Sequence, residues 1–599
     1  MITPMTKYSF ILLNGQQEEL LEKLQDLGLM DITRGTKPVD DTSRKIVADI
    51  ELVSGLIEAL NKAEIPADTV PERIDGDIIR LAGGMIMRYS EDTDALKNLE
   101  KEINSVKVWG KFDPNLVAKL KEAGIPLHFH VVGKKLFKEE WAADYALTVI
   151  DQDKNNVWFA VAGDDALPGE VAAPSMDITA KEKELQEKKR HFEKVLARMA
   201  GAKERIVELE AYKAEKLSEL DLYLANVAAA PAAEGTIVTL EGYVPTENDT
   251  AITETVDSLG VFYLKEEAKT ADNPPVKLKN NWFTRQFEVL TDMYGRPVYD
   301  EFDPTPILGP FFLLFFAMCM GDAGYGILLV LIGWLLKKKV PSMADMAPLV
   351  MILGVGTFIV GIVLHTFFGI NLYEAAWVPS WLKKFMINGT VAGYDAQMVL
   401  AVGVGVFHIC LAMIVKCICF TKRFGFAKTI SSWGWTLLIV GAVVTGGLAL
   451  LGVIDMPAVK IILIVLGIVS GLGIFILNDL HRNPLLNIGA GLWDTYNTAT
   501  GLMGDVLSYL RLYALGLAGG MLGSTFNMLA GMTLGINIPG INWLLFAFII
   551  LIGHVLNLAL SCLGAFVHPL RLTFVEYFKN SGFEGTGRFY RPLNKQQTK

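Results

Sequence analysis

The chain has 599 residues, and its charge is unevenly spread: residues 1–300 hold 37 Lys+Arg and 53 Asp+Glu, residues 301–599 only 18 and 12. The overall net of −10 and the mean hydropathy of +0.35 therefore describe neither half. So sparse a charge over 299 residues excludes a wholly soluble enzyme, the acidic first half exceeds what a plain channel needs, acidity without a basic patch argues against a nucleic-acid partner, and the length calls for more than one core.

The first ten residues, MITPMTKYSF, lack a basic n-region and an apolar core. No cleavable signal peptide is expected, which leaves the first half in the cytosol. Residues 7–33 read strand, helix, strand: Tyr8, Phe10 and Leu12 alternate, Gln16–Leu27 is helical, and Gly28 stops it. Residues 236–266 repeat the pattern, and two such units can close one α+β lobe of ferredoxin-like type. That proximal lobe takes residues 1–40 and 235–282.

What lies between is an excursion from the lobe. Ile46, Ile50, Val53, Ile57 and Leu60, then Ile78, Leu81, Met85 and Tyr89, form an apolar seam at spacings of three and four. Val195, Met199, Ile206, Leu209, Leu217 and Leu224 belong to a returning seam. An antiparallel coiled coil over 44–106 and 177–230 is expected. Roughly 45 helical residues at about 1.5 Å each would make it a spacer of about 70 Å. Residues 107–170, with short strands and a helix, form a distal α/β lobe. This half has no phosphate-binding glycine loop, His/Cys cluster or nucleophile elbow; Gly83-Gly84 lies inside the seam.

The fold class is thus an α-helical membrane protein behind an α+β cytosolic domain, with the membrane domain at 301–599. Apolar runs lie near 307–336, 346–368, 396–417, 430–453, 458–478, 491–532 and 541–578. Pro306–Leu336 is longer than one ~30 Å crossing needs, and Gly321-Asp322-Ala323-Gly324-Tyr325-Gly326 interrupts it. Lys416–Lys428 and the cationic tail (Lys579, Arg588, Arg591, Lys595, Lys599) should face the cytosol. Counting back places Lys337–Lys339 there too, so 306–336 crosses an even number of times. It is read as a hairpin of two helices, about 307–320 and 323–337, eight helices in all with both ends inside. Lys383 and Lys384 in an outer loop run against this scheme. The five cysteines all fall in this half and are read as apolar fillers.

Arg511 stands midway in an apolar run, where a charge costs about 2.5–3.5 kcal/mol on insertion scales. Arg571 lies in the last run. His554, Asn557, Ser561, Gly564, His568 and Arg571 share one helical face. Asp494, Thr498, Gly501, Asp505 and Ser508 share another, leading from Arg511 toward the cytosol. These are candidate half-channel linings; the same groups also suit hydrogen bonding between packed helices.

Gly504-Asp505-Val506-Leu507-Ser508-Tyr509-Leu510-Arg511-Leu512-Tyr513-Ala514-Leu515 resembles the signature of the membrane stator subunit of V-type and A-type rotary ATPases (subunit a, or prokaryotic subunit I). Tyr299-x-Glu301-x-Asp303-Pro304-Thr305-Pro306, the Gly-Asp-Ala-Gly-Tyr-Gly stretch and His568-Pro569-Leu570-Arg571-Leu572 resemble further parts of that family. The resemblance implies a subunit that is not an enzyme on its own and binds no cofactor, in a prokaryotic plasma membrane with its first half and C-terminus cytoplasmic. Its partners would be membrane lipid, a proteolipid ring (c/K type), peripheral stalk subunits (E/G type) and a central stalk cap (d/C type). The ATP-hydrolysing A/B head would act indirectly. Arg511 would meet the ring carboxylate as it loses its ion, favouring the ionised form, and Arg571 would be the second cation. Eukaryotic forms carry an acid where Ser561 stands and a histidine where Gly519 stands. The transported ion, H⁺ or Na⁺, is therefore left open. The competing classes are a secondary transporter or gated channel with a cytosolic regulatory domain, and a plain membrane anchor for a coiled coil.

Overall fold

In a computed structural model of the chain, all residues are described except 14, 35–39, 111–113, 139, 164–166, 172–177, 233–236, 341–342, 392, 451, 477–483, 536–540 and 596–599. Lys599 of the cationic tail lies outside the described residues. The chain divides into two compact units. One takes Met1–Ser9, Gly242–Thr253 and Tyr263–Arg591; the other takes Phe10–Glu241, Glu254–Phe262 and Pro592–Lys599.

The elements begin β1 (Met5–Leu13), α1 (Gln16–Leu27), β2 (Asp31–Ile32), α2 (Asp41–Lys62), α3 (Ile78–Lys107) and α4 (Pro114–Glu122). There follow β3 (Leu127–Gly133), α5 (Trp141–Asp144), β4 (Leu147–Gln152), β5 (Asn156–Ala162), β6 (Glu170–Val171), α6 (Ile178–Glu204) and α7 (Ile206–Val227). Then come β7 (Ala230–Ala232), β8 (Ile237–Pro245), α8 (Asp249–Leu259) and β9 (Phe262–Glu267). Strand order β2-β8-β1-β9, with β7 on β8, interleaves the two strand–helix–strand units. Tyr8, Phe10 and Leu12 are buried, as their alternation requires. Gly28 ends α1 in the left-handed region, φ 65°, which costs glycine nothing.

α2 packs on α7 and α3 on α6. Asp40 starts α2 with a capping box: its Oδ1 accepts from the Ser43 backbone N–H at 2.9 Å, and the Ser43 hydroxyl faces the Asp40 N–H. The seam buries Val53, Leu60, Ile78, Ala82, Val195, Met199 and Leu209. Leu81 departs from the expected seam and is 38% exposed. One residue turns a helix by about 100°, and Ala82 takes the inward position instead. Beyond this stretch, β4-β5-β3-β6 form a second sheet, antiparallel at β3–β5 from Leu127↔Ala162 to Gly133↔Asn156, over a core of Val132, Val157, Phe159 and Val161.

The second half continues with α9 (Trp282–Arg285), α10 (Glu288–Tyr294), α11 (Thr305–Met320), α12 (Ala323–Lys339), α13 (Ala347–Val363) and α14 (Ser380–Lys383). After them come α15 (Ala396–Phe424), α16 (Ile430–Leu450), α17 (Met456–Gly471), α18 (Pro484–Ser508), α19 (Leu510–Thr533) and α20 (Ile541–Arg571). Among the described residues, five stretches are long and apolar enough to cross a membrane: Ala396–Phe424, Ile430–Ala449, Met456–Ile476, Asn487–Thr533 and Ile541–Ser581. Thr305–Met320 and Ala347–Val363 are shorter apolar helices. The chain is a membrane protein with a mixed α/β N-terminal region. α11 is the hub: it packs against α13, α19 and α20 and feeds Phe312, Phe315, Phe316 and Met320 into the largest core.

Several expected spans are interrupted. The run near 491–532 breaks at Tyr509, whose N–H bonds to Val506 O, three residues back rather than four. The run near 346–368 ends its helix at Val363, and the hairpin Thr366–Phe367/Ile370–Asn371 follows, with His365 and Phe368 at positive φ. The last run widens into a π-helical turn over Leu572–Tyr577. Lys383 donates to the carbonyls of Tyr373 and Ala375, so its charge is engaged within its own loop.

Candidate functional site

The glycine-rich interruption is built around one carboxylate. Gly321 closes α11 at φ 62°, and Asp322 opens α12 as its N-cap. Asp322 is 1% exposed. Its Oδ1 accepts from the backbone N–H groups of Gly324 (2.8 Å), Tyr325 (3.3 Å) and Phe368 (2.8 Å), and its Oδ2 from Gly369 (2.8 Å). A buried carboxylate is tolerable only when donors replace its water; here two donors come from the helix start and two from the 366–371 hairpin. The hairpin presses on α19 at a point where side chains are excluded: a Cβ on Gly369 would lie 2.4 Å from Gly523 C.

The next turn of α12 joins the stripe on α20. The Tyr325 hydroxyl lies 2.8 Å from His554 Nδ1 and accepts from Asn557 Nδ2 at 2.9 Å. His554 Nε2 lies 3.0 Å from Asn527 Oδ1, and Asn527 Nδ2 donates to Phe368 O at 2.6 Å. Asn557 Nδ2 also donates to Gly519 O at 2.9 Å, and Ser561 Oγ donates to Asn557 Oδ1 at 3.3 Å. His554, Asn557 and Ser561, all candidate half-channel lining by sequence, are thus joined into one network with α12 and α19. His568 Nδ1 is buried without a partner, and Arg571 is exposed.

Arg511 opens α19 just past the break. Its Nη1 is buried with no hydrogen-bond partner, and among the described residues no carboxylate is paired with it. It is near enough to Cys319 of α11, and to His568 and Glu576 of the last helical run, to act on them electrostatically. The break is held by Tyr509, whose hydroxyl lies 2.9 Å from His408 Nδ1 of α15. Asp505, 8% exposed, accepts from Asn580 Nδ2 at 2.8 Å and faces Lys579 Nζ at 3.5 Å. Ser508 donates to Gly504 O.

Two clefts flank Arg511 along the same helical run. One of about 290 Å³ lies toward its N-terminal side, where Thr498 and Asp505 meet Lys416, Ser432, Lys579 and Asn580. The other, about 250 Å³, lies toward its C-terminal side, lined by His365, Thr366, Asn371, Gln397, Tyr513 and Ser524 among others. Of the expected lining residues, Thr498 and Asp505 are therefore brought together in one cleft, and Asp494 stands exposed on α18. The second cleft draws its polar groups from residues 365–371, from the first turn of α15 and from α19, outside the two polar stripes read from the sequence. Only Tyr513, two residues past Arg511, lay within the motif. Among the described residues no three His, Cys, Asp or Glu side chains are grouped to hold a metal.

A family model described as the V-type ATPase 116kDa subunit family matches residues 169–370. The A-type ATP synthase subunit I of Methanocaldococcus jannaschii is 31% identical over 393 residues, 60% of this chain. The match spans 55% of that relative's own length. The V-type ATP synthase subunit I of Chlamydia trachomatis is 25% identical over 667 residues, covering 98% of each chain. The corresponding protein of Borreliella burgdorferi is 25% identical over 625 residues, covering 100% of each.

Proposed function

The chain belongs to the V/A-type ATPase subunit I (subunit a) family, and from that premise we propose that it is the non-catalytic, membrane-embedded stator subunit of a rotary ATPase. ATP hydrolysis or synthesis takes place on other subunits. A proteolipid ring carrying one ion-binding carboxylate per subunit turns past Arg511, and H⁺ or Na⁺ enters and leaves through the two clefts. The observation that carries this reading is a half-buried Arg511, its Nη1 enclosed without a hydrogen-bond partner, with a cleft on either side of it along one membrane helix run.

A cation in a low-dielectric setting that has no hydrogen-bonded carboxylate of its own attracts a mobile carboxylate and favours its ionised form. A ring site arriving from one cleft gives up its ion opposite Arg511 and reloads from the other. Arg571, exposed on α20, is the second cation of that barrier. Because the clefts lie on opposite sides of Arg511 along the run, an ion passes between them only aboard the ring.

The two helices flanking Asp322 act as a hairpin, giving eight crossings with the first half and C-terminus cytoplasmic in a prokaryotic membrane. The positive-inside argument favours this arrangement, and the local capping of Lys383 weakens the one count against it. The α/β lobes and the paired helices between them form the arm that braces against E/G-type peripheral stalk subunits and resists torque near the d/C-type stalk cap.

In vesicles holding the whole complex, Arg511→Ala should lower ATP-driven ion pumping to about a hundredth of the parent rate or less, an effect of about 2.7 kcal/mol or more on the transport barrier. Ring and ATP-hydrolysing subunits should still co-purify. Normal pumping by that variant removes Arg511 from the mechanism, and a chain that purifies without such partners removes the stator reading.

A further inference from the structure

A second feature lies in the first half of the chain, in the groove between α3 and α6, which encloses about 660 Å³. Arg80 and Arg88 stand on α3, two turns apart, with Gly84 between them. His191, Lys194 and Arg198 stand on α6 at spacings of three and four. Two cationic rails therefore face each other over about 12 Å, eight residues at about 1.5 Å each. Between them Leu81, turned out of the helix seam, joins Met85 and Val195 as an apolar floor. A Cβ on Gly84 would meet nothing within 4 Å, so the groove is open above it.

One end of the groove is fixed in place. The Glu72 N–H donates to Ala197 O at 2.9 Å, and Arg205 Nη1 donates to the carbonyls of Ile74 (3.0 Å) and Gly76 (2.9 Å). The strap crosses α6 so closely that a Cβ on Gly201 would lie 2.0 Å from Glu72 O. Glu72, paired with Arg198 at 3.3 Å, is the one carboxylate among the groove's lining residues. In a half that carries 53 acidic against 37 basic residues, five cationic or imidazole side chains around one apolar floor form a local reversal of charge.

We propose that this groove docks an acidic amphipathic helix of a partner polypeptide. The occupant must be apolar along a central stripe, to cover Leu81, Met85 and Val195, and anionic along both flanks, to face the rails. A helix about 10–12 Å across, with carboxylates three and four residues apart on either side of a leucine stripe, meets both needs over two turns. Inorganic phosphate matches the charge but leaves the floor in water. An anionic bilayer is flat and cannot enter between the helices. Exposed ion pairs contribute little each, so the apolar stripe supplies affinity while the rails set direction and encounter rate.

The test uses the full chain in phosphatidylcholine nanodiscs. The probe is a fluorescent fourteen-residue peptide helix with a leucine stripe flanked by glutamates, titrated beside a scrambled peptide of equal composition. The patterned peptide should bind saturably and at least about ten-fold more tightly than the scramble. Arg80→Glu/Arg88→Glu should weaken it at least ten-fold, and Gly84→Leu should do the same by filling the gap. Circular dichroism should show both variants folded, and tripolyphosphate should fail to displace the peptide. Equal binding of the scramble, displacement by tripolyphosphate, preference for phosphatidylglycerol vesicles, indifference to both folded variants, or no binding would each overturn the proposal.

Discussion

Asp322 gathers four backbone N–H donors around one buried carboxylate, and its removal would leave all four without an acceptor. Hydrogen bonds to a charged group contribute about 1.5–3 kcal/mol each, with incomplete additivity. Asp322→Ala should therefore destabilise the detergent-solubilised chain by roughly 3 kcal/mol or more, read as a lowered midpoint of thermal unfolding; an unchanged midpoint would show that the hairpin is held by packing alone. Arg511 is the opposite case, a buried donor that the chain itself leaves unpartnered. In the sequence both were visible as charges in apolar runs. Their difference was not, because the donors that satisfy Asp322 come partly from residues 368 and 369, forty-six and forty-seven positions away.

A break inside an apolar helical run is not legible in its periodicity where a single tertiary contact imposes it. Tyr509 interrupts the run near 491–532 because its ring lies on α15 at a residue with no side chain. A Cβ on Gly405 would stand 2.3 Å from the ring, closer than any real contact. Gly405→Val should thus force α15 and α19 apart, destabilising by about 1–3 kcal/mol as overpacking does, and should lower pumping through misplacement of Arg511. A variant of normal stability and rate would show that the break forms without this contact. The first arm helix offers a simpler case. Hydrogen bonds from the Ser43 backbone and from the Tyr223 hydroxyl hold Asp40 below the usual carboxylate range. A depressed folded pKa stabilises above the unfolded value, near 3.8, and that contribution is lost as pH falls through the folded value. Asp40→Ala should start α2 less firmly at pH 7, and helix content of parent and variant should converge as pH falls below the unfolded value and through the folded one. A gap that stays constant with pH would assign the effect to packing rather than to the carboxylate.

At the scale of the molecule, two clefts on either side of Arg511 along one helical run, with no lining residue in common, make an incomplete conductor. Reconstituted alone in vesicles, the chain should hold a pH gradient, read with an entrapped dye, to within about two-fold of empty vesicles. Rapid collapse of the gradient would mean that the clefts connect within the chain itself, and the requirement for a ring would fall.

By itself the sequence determined the division of labour: an acidic, charge-rich first half, an apolar second half with few charges, and two arginines among them that the membrane makes costly. Those features follow from composition and period, which are local. Tertiary structure decided which polar groups are spent on each other and which remain available. His554 and Asn557 share a face with Arg571 in sequence, yet Tyr325 and Asn527 from other helices absorb their hydrogen bonds. Leu81 belongs to a seam by spacing, yet Ala82 took the inward place and left it beside a cationic groove. The reason is the same in both cases: a hydrogen-bond partner or a packing neighbour supplied from a distant segment has no signature in the residues around it.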